Sequence, residues 1–152
     1  MVKKRLHTEQ LDTRIKEISS LQNVTVPETG WIKSTRTAIG MSLVQLGNQL
    51  GITKQSVLEI ENREQKGTLS IKTLRDVAIA MDMKLVYGFV PTDGSLEALI
   101  DRKANEAATK IVMRTSASMK LEGQENNEQR IQKAIAERSD ELKRELSKVL
   151  WD

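Results

Sequence analysis

Apolar residues recur along most of the chain at spacings of three or four, which is the period of an amphipathic helix. The first such face predicts a helix over residues 8–22 with Thr8 as its N-cap. Its apolar residues are Leu11, Ile15, Ile18 and Leu21. Later segments are separated by hydroxyl residues that are the predicted N-caps, namely Ser42, Thr53, Ser70 and Ser95, and by glycines that suit helix ends, namely Gly40 and Gly51. Those segments predict four helices in the middle of the chain, over 31–39, 43–50, 54–63 and 70–83, with a loop over 64–68. Two further helices are predicted, one from 95 to a break at 123–127 and one over 128–150.

One segment, Lys84–Val90, follows a different pattern. It is rich in β-branched and aromatic residues and is closed by Pro91, so it predicts a short β-strand. A single strand cannot satisfy its own backbone hydrogen-bonding groups. We therefore expect it to pair with another segment, or with the same strand of a second subunit to form a homodimer.

The composition supports a mainly α fold. Apolar residues make up 38% of the 152 residues but aromatic residues only 3%, which favours aliphatic helix packing over an aromatic-rich β-sandwich. The pattern predicts three regions along the chain. These are an N-terminal helix and connector (1–30), a central helical domain with a trailing strand (31–91), and a C-terminal helical region (92–152).

The inventory of reactive side chains argues against an enzyme. There is no cysteine, and His7 is the single histidine, so neither a thiolate site nor a histidine metal cluster is expected. No glycine-rich phosphate loop or acid pair beside a base is present, and we expect no cofactor and no metal. Apolar runs are short and no signal-peptide core is found, which predicts a soluble, cytoplasmic protein without membrane contact.

Positive charge is concentrated in the middle of the chain. Residues 31–91 carry eight basic and five acidic groups, whereas residues 92–152 carry eleven and twelve. A local positive surplus favours an anionic partner.

The strongest local pattern lies in Leu43–Asn62, which predicts two short helices joined by a tight turn. Gly51 falls where the turn needs a left-handed backbone conformation, and Gly47 is small where the second helix must approach. The apolar residues expected to lock the two helices together are Leu46, Leu50, Ile52, Val57 and Ile60.

Residues 31–83 resemble the Xre-type helix-turn-helix family of phage repressors, a five-helix fold of the lambda-repressor kind. The Glu61-Asn62 pair at the end of the second motif helix is also typical of that family. Gly47 stands where alanine is usual and Arg63 where glycine often follows; neither departure alters the expected geometry. The resemblance implies a sequence-specific transcriptional regulator that represses its own promoter.

In such motifs the second helix enters the major groove and its N-terminal residues reach base edges. Lysine suits guanine, glutamine suits adenine and glutamate suits cytosine. The predicted base readers are Lys54, Gln55, Ser56 and Glu59, and the predicted phosphate contacts are Ser42, Asn62, Lys33, Arg36 and Arg63. Because one motif spans only a few base pairs, we expect a homodimer on a two-fold repeat in double-stranded DNA.

A second pattern, Ser118-Met-Lys-Leu-Glu122-Gly123, places Ser118 and Glu122 one helical turn apart on the same face. A glutamate near a helix C-terminus opposes the helix dipole and would gain from an external arginine. The string resembles the inhibitory motif of Fic antitoxins, Ser/Thr-x-x-x-Glu-Gly/Asn. The resemblance implies that Glu122 pairs with the arginine that should hold the ATP γ-phosphate in a Fic enzyme, which would block adenylyl transfer.

The whole chain resembles the mobile mystery protein A family, whose members lie beside a Fic-domain partner. The likeness is carried by the Gly51-Ile-Thr turn, by Leu85–Pro91 and by Ser118-Met-x-Leu-Glu-x-Gln124. It implies an antitoxin that inhibits a Fic adenylyltransferase toxin through Glu122. The alternative is a DNA-binding repressor only, whose C-terminal helices serve dimerisation. The Fic catalytic motif itself is absent from this sequence, so the resemblance assigns catalysis to the partner.

Overall fold

The computed structural model describes residues 2–121 and 127–152, with side chains described for 2–118 and 127–152. This part of the chain is mainly helical, as predicted. Its α-helices are α1 (Val2–Ile18), α2 (Trp31–Ala38), α3 (Leu43–Leu50), α4 (Lys54–Lys66), α5 (Ile71–Ala80), α6 (Leu96–Leu121) and α7 (Glu128–Glu145). Short 3-10 helices cover Ser19–Asn23 and Lys148–Trp151. Over these residues no helix has the length and apolarity needed to span a bilayer.

The helices form two compact units. One unit consists of Asn23–Tyr87 and contains α2 to α5. The other combines Met1–Gln22 with Gly88–Asp152, so α1 groups with α6 and α7. We call them the central unit and the outer unit.

Each helix of the central unit contributes one buried aliphatic side chain to a shared core. Ile32 comes from α2, Leu46 from α3, Val57 from α4 and Val77 from α5, and Met81 completes the cluster. Leu46 and Val57 have no exposed surface. Burial of such side chains contributes about 1.5–3 kcal/mol each, so these contacts fix where α4 lies relative to α2, α3 and α5.

A buried ion pair crosses the central unit between α2 and α4. Arg36 Nε lies 2.5 Å from Glu61 Oε1, and a second guanidinium nitrogen of Arg36 donates to Glu61 Oε2 at 3.3 Å. A third nitrogen of Arg36 donates to the carbonyl of Met41 at 3.0 Å. The two side chains are only 11% and 3% exposed, so this pair is an internal element of the fold.

A second acidic residue of α4 holds the start of α2. The carboxylate of Glu64 accepts hydrogen bonds from the backbone amides of Trp31 and Ile32, both at 2.8 Å. Gly30 packs so closely on this carboxylate that a Cβ there would lie 2.7 Å from Glu64 Oε1. Helix N-termini leave unpaired amides and attract negative charge, and Glu64 meets both needs.

The outer unit is built on close contact between α6 and α7. The buried residues of this α6–α7 cluster are Ala104, Ala107, Ala108, Ile135, Leu142 and Leu150. The three alanines occupy little volume, so the larger side chains of α7 can pack against the α6 backbone.

The start of α6 is capped twice. Ser95 accepts from the amide of Ala98 at 3.0 Å, which confirms the predicted cap. Asp12 of α1 accepts from the amides of Leu96 and Glu97 at 2.7 and 3.2 Å. These bonds tie α1 to α6 within the outer unit.

Several predicted helix limits are wrong. α1 begins at Val2, so Thr8 lies inside the helix and its hydroxyl bonds to the carbonyl of Lys4 instead of capping. α4 extends three residues beyond Arg63, because Glu64 accepts hydrogen bonds from α2 and the left-handed residue that ends the helix is Gly67. α5 ends at Ala80, before Asp82 turns into the left-handed region with φ 57°. The predicted helix over 128–150 breaks at Leu146, where φ is 45°.

The predicted strand over Lys84–Val90 is not confirmed. The structure assigns this segment to neither helix nor strand. Its backbone groups make no hydrogen bond to any other residue that the structure describes. A strand exists only as part of a hydrogen-bonded ladder, and the described residues offer this segment no partner.

The ion pair of Arg36 and Glu61 gives a prediction for stability. Arg36→Met should lower the free energy of unfolding of the central unit by about 3–5 kcal/mol, because Glu61 would keep a buried charge without a partner. Urea unfolding followed by Trp31 fluorescence in a Trp151→Phe background measures this unit, since the chain has two tryptophans.

The matched control is Arg63→Met, which removes an exposed partner of Glu59. That change should cost at most about 1 kcal/mol. Equal losses from the two substitutions would show that the Arg36 pair has no special structural role.

Candidate nucleic-acid interface

The α3–α4 pair begins at a reciprocal cap. The hydroxyl of Ser42 accepts from the amide of Gln45 at 3.1 Å, and the Gln45 side chain accepts from the amide of Ser42 at 2.8 Å. This capping box leaves the amides of Leu43 and Val44 without a partner among the described residues. The cap on α3 was predicted, and it is confirmed.

The turn between α3 and α4 is held by backbone hydrogen bonds. Gly51 has φ 68°, the left-handed conformation that was predicted for it. The amide of Ile52 donates to the carbonyl of Gly47 at 2.9 Å, and the amide of Gly51 donates to that of Asn48 at 3.4 Å. Together these bonds end α3 and reverse the chain within three residues.

The first turn of α4 is capped by Thr53, as predicted. Its hydroxyl oxygen accepts from the amide of Ser56 at 3.1 Å, and the hydroxyl donates to Ser56 Oγ at 3.0 Å. One turn into the helix, Val57 is fully buried. The direction of α4 is therefore fixed by both a cap and a core contact.

The backbone that leads into α4 lies close to Gly47. A Cβ at this position would lie 2.7 Å from the carbonyl oxygen of Ile52 and 3.5 Å from the carbonyl of Thr53. The close neighbour is thus the turn backbone and not the side chains of the second helix.

Two of the four predicted base readers are exposed and unengaged. Lys54 and Gln55 are exposed at the start of α4, and their side chains make no hydrogen bond to a described residue. Ser56 is half-buried and its hydroxyl is occupied by Thr53. Glu59 is exposed but pairs with Arg63, whose nitrogen lies 2.6 Å from its carboxylate.

The predicted phosphate contacts fall into two groups. Ser42, Lys33, Asn62 and Arg63 are exposed. The structure does not support such a role for Arg36, because its guanidinium is occupied by Glu61 and by the carbonyl of Met41. Of the predicted cations near the motif, Lys33 and Arg63 remain accessible to a phosphate.

Sequence reasoning missed the structural roles of Glu61 and Glu64. The signal for Glu61 was present, because it follows the inward Val57 by four positions and so lies on the same helix face. Arg36 follows the inward Ile32 by four positions on α2. A basic and an acidic residue that both face inward should be expected to pair.

The second predicted motif lies mostly beyond what can be described. Ser118 is exposed on α6, and its hydroxyl donates to the carbonyl of Arg114 at 3.2 Å. Glu122 and Gly123 lie outside the described residues.

Gly47 gives a second prediction for stability. Gly47→Ala should destabilise the central unit by about 1–3 kcal/mol, because the new methyl group meets a backbone oxygen that cannot move without opening the turn. This sign is opposite to the gain of up to about 1 kcal/mol that alanine normally brings to a helix. Asn48→Ala, on the exposed side of α3, is the matched control and should be neutral or slightly stabilising. A Gly47→Ala variant with unchanged or higher stability would contradict the close approach.

No protein-family model, curated protein or solved structure matches this chain.

Proposed function

We propose that the α3–α4 pair is a helix-turn-helix of the Xre type that binds double-stranded DNA. The observation that carries the proposal is the state of Lys54 and Gln55, which are free and exposed on the first turn of a helix anchored by Thr53 and Val57. Helices that read the major groove use residues at their N-terminal end. A rigid helix with unengaged polar side chains there meets that requirement.

The surroundings of α4 support the same function. The two unpartnered amides at the start of α3 and the exposed Lys33 and Asn62 can bind phosphate oxygens. Arg63 neutralises Glu59 across one helical turn, which reduces the repulsion that an isolated carboxylate would meet in the groove. In this arrangement Lys54 would recognise guanine and Gln55 adenine, with Glu59 accepting from cytosine.

We propose in addition that the protein is an autorepressor that inhibits a Fic-domain toxin through Glu122. The support is the resemblance of the Ser118–Gly123 string to Fic antitoxins, together with the exposure of Ser118 on α6. The alternative is a repressor without a toxin partner, in which the outer unit serves assembly alone.

DNA binding is tested by replacing both free side chains. The double variant Lys54→Ala, Gln55→Ala should lose about 2–6 kcal/mol of discrimination between operator and random DNA, because each bidentate or charged base contact supplies about 1–3 kcal/mol. A salt-dependent affinity from phosphate contacts should remain. Fluorescence anisotropy with promoter and scrambled duplexes at several salt concentrations measures both quantities.

The control for this experiment comes from the same helix. Gln65→Ala, Lys66→Ala removes the same two residue types from the opposite end of α4, about 16 Å away along the axis. This control should keep the preference for the operator. If the two double variants behave alike, the N-terminal end of α4 does not read the bases.

Toxin inhibition is tested by co-expression with the neighbouring Fic protein. Glu122→Ala should release adenylylation by that enzyme, since the arginine that binds the ATP γ-phosphate would no longer be occupied. Glu128→Ala, an exposed acidic residue at the start of α7, should inhibit as fully as the wild type. Full inhibition by Glu122→Ala would show that Glu122 is not the inhibitory residue, whereas a wild type that does not inhibit the enzyme would favour the repressor-only alternative.

A further inference from the structure

The segment Lys84–Val90 presents an open backbone edge that joins the two units, and we call it the linker edge. None of its amides or carbonyls bonds to another described residue. Three large apolar side chains on it are exposed, namely Val86 at 57%, Tyr87 at 61% and Phe89 at 91%. Unpaired backbone groups beside exposed apolar side chains form a template for strand pairing.

One side of the linker edge is occupied within the outer unit. Gly88 lies directly against the Cδ1 methyl of Ile18, so a side chain at position 88 would collide with it. Alternate residues of an extended segment face opposite sides. In a ladder, Tyr87 and Phe89 would therefore share the side turned away from Gly88; both side chains are exposed, as is that of Val86.

We propose that the linker edge forms an antiparallel two-stranded ladder with the linker edge of a second copy of this chain. A ladder would satisfy the open amides and carbonyls and cover the two aromatic rings in one step. The pairing is inferred from the edge itself. Its role in operator binding rests on the proposed function, which it deepens. The pairing would relate two DNA-reading helices by a common two-fold axis.

The charge on the linker edge selects the antiparallel orientation. Lys84 at its first position is its one charged residue. Parallel pairing would bring the two lysines side by side, whereas antiparallel pairing separates them by about 20 Å over six residues. A two-fold antiparallel contact is also self-complementary and closed, and Pro91 ends it by removing an amide donor.

The surface available predicts a weak dimer. Side chains of this size bury about 150–250 Å² each, so the exposed fractions of Tyr87 and Phe89 offer roughly 300 Å² per copy. A stable interface buries about 800 Å² per partner. We therefore expect a dissociation constant in the micromolar range, with tighter association when both copies are held on one operator.

The first test measures the oligomeric state without DNA, by sedimentation equilibrium between 1 and 200 μM. The wild type should show a reversible monomer–dimer equilibrium, and Phe89→Glu should raise the dissociation constant at least tenfold. Ile79→Glu is the matched control, because Ile79 is 64% exposed on α5, and it should leave the equilibrium unchanged. A wild type that stays monomeric at 200 μM, or a Phe89→Glu variant that dimerises normally, would overturn the proposal.

The second test uses the absence of cysteine from the sequence. Single cysteines are placed at each position from 85 to 89 and oxidised under mild conditions. In a two-fold antiparallel ladder only the one or two positions nearest the axis meet their own copy within the 4.4–6.8 Å Cα separation of a disulfide. Covalent dimer should therefore peak sharply in the series, with Lys66→Cys on α4 as the exposed control. A flat profile would exclude the ladder.

These measurements also separate the two hypotheses. A dimer that is lost with Phe89→Glu but does not bind promoter DNA would refute the proposed function and leave the ladder intact. A monomer that prefers operator DNA would refute the ladder alone.

Discussion

The candidate interface depends on one close contact, between Gly47 and the backbone of the turn that follows α3. A Cβ at position 47 would meet the Ile52 carbonyl at 2.7 Å, so the turn can fold back this tightly only on a glycine. That distance places Thr53 where it can cap α4 and directs Val57 into the core. Lys54 and Gln55 precede Val57 on the first turn of this helix, where both are exposed.

Two acidic residues on α4 make contacts inside the fold and are not available to a ligand. Glu61 neutralises Arg36 inside the central unit, and Glu64 accepts from the first amides of α2. Both interactions join α2 to α4, so a change in either residue would displace the helix that carries Lys54. Glu59 alone, on the exposed side, is available for recognition, and there it is balanced by Arg63. The three carboxylates thus divide into two internal contacts and one surface group.

Within the proposed mechanism, the linker edge is the segment through which two copies of the chain pair. Helix-turn-helix modules bind a few base pairs each, so affinity depends on how two copies are joined. A ladder between the linker edges would join them next to the DNA-reading unit and leave α6 and α7 free for another partner.

The amino-acid sequence determined the helices and the motif, because helix period, caps and glycines are local properties. The caps at Ser42, Thr53 and Ser95, and the left-handed Gly51, could all be read from neighbours within a few positions. Helix limits such as the C-terminus of α4 were missed because Glu64 finds its partner 33 positions away on α2. The inward position of Arg36 could be read from its spacing to Ile32, but whether its guanidinium meets a phosphate or the carboxylate of Glu61 depends on how α2 packs against α4. Only the tertiary structure decides between them, because burial and long-range pairing are not encoded in local spacing.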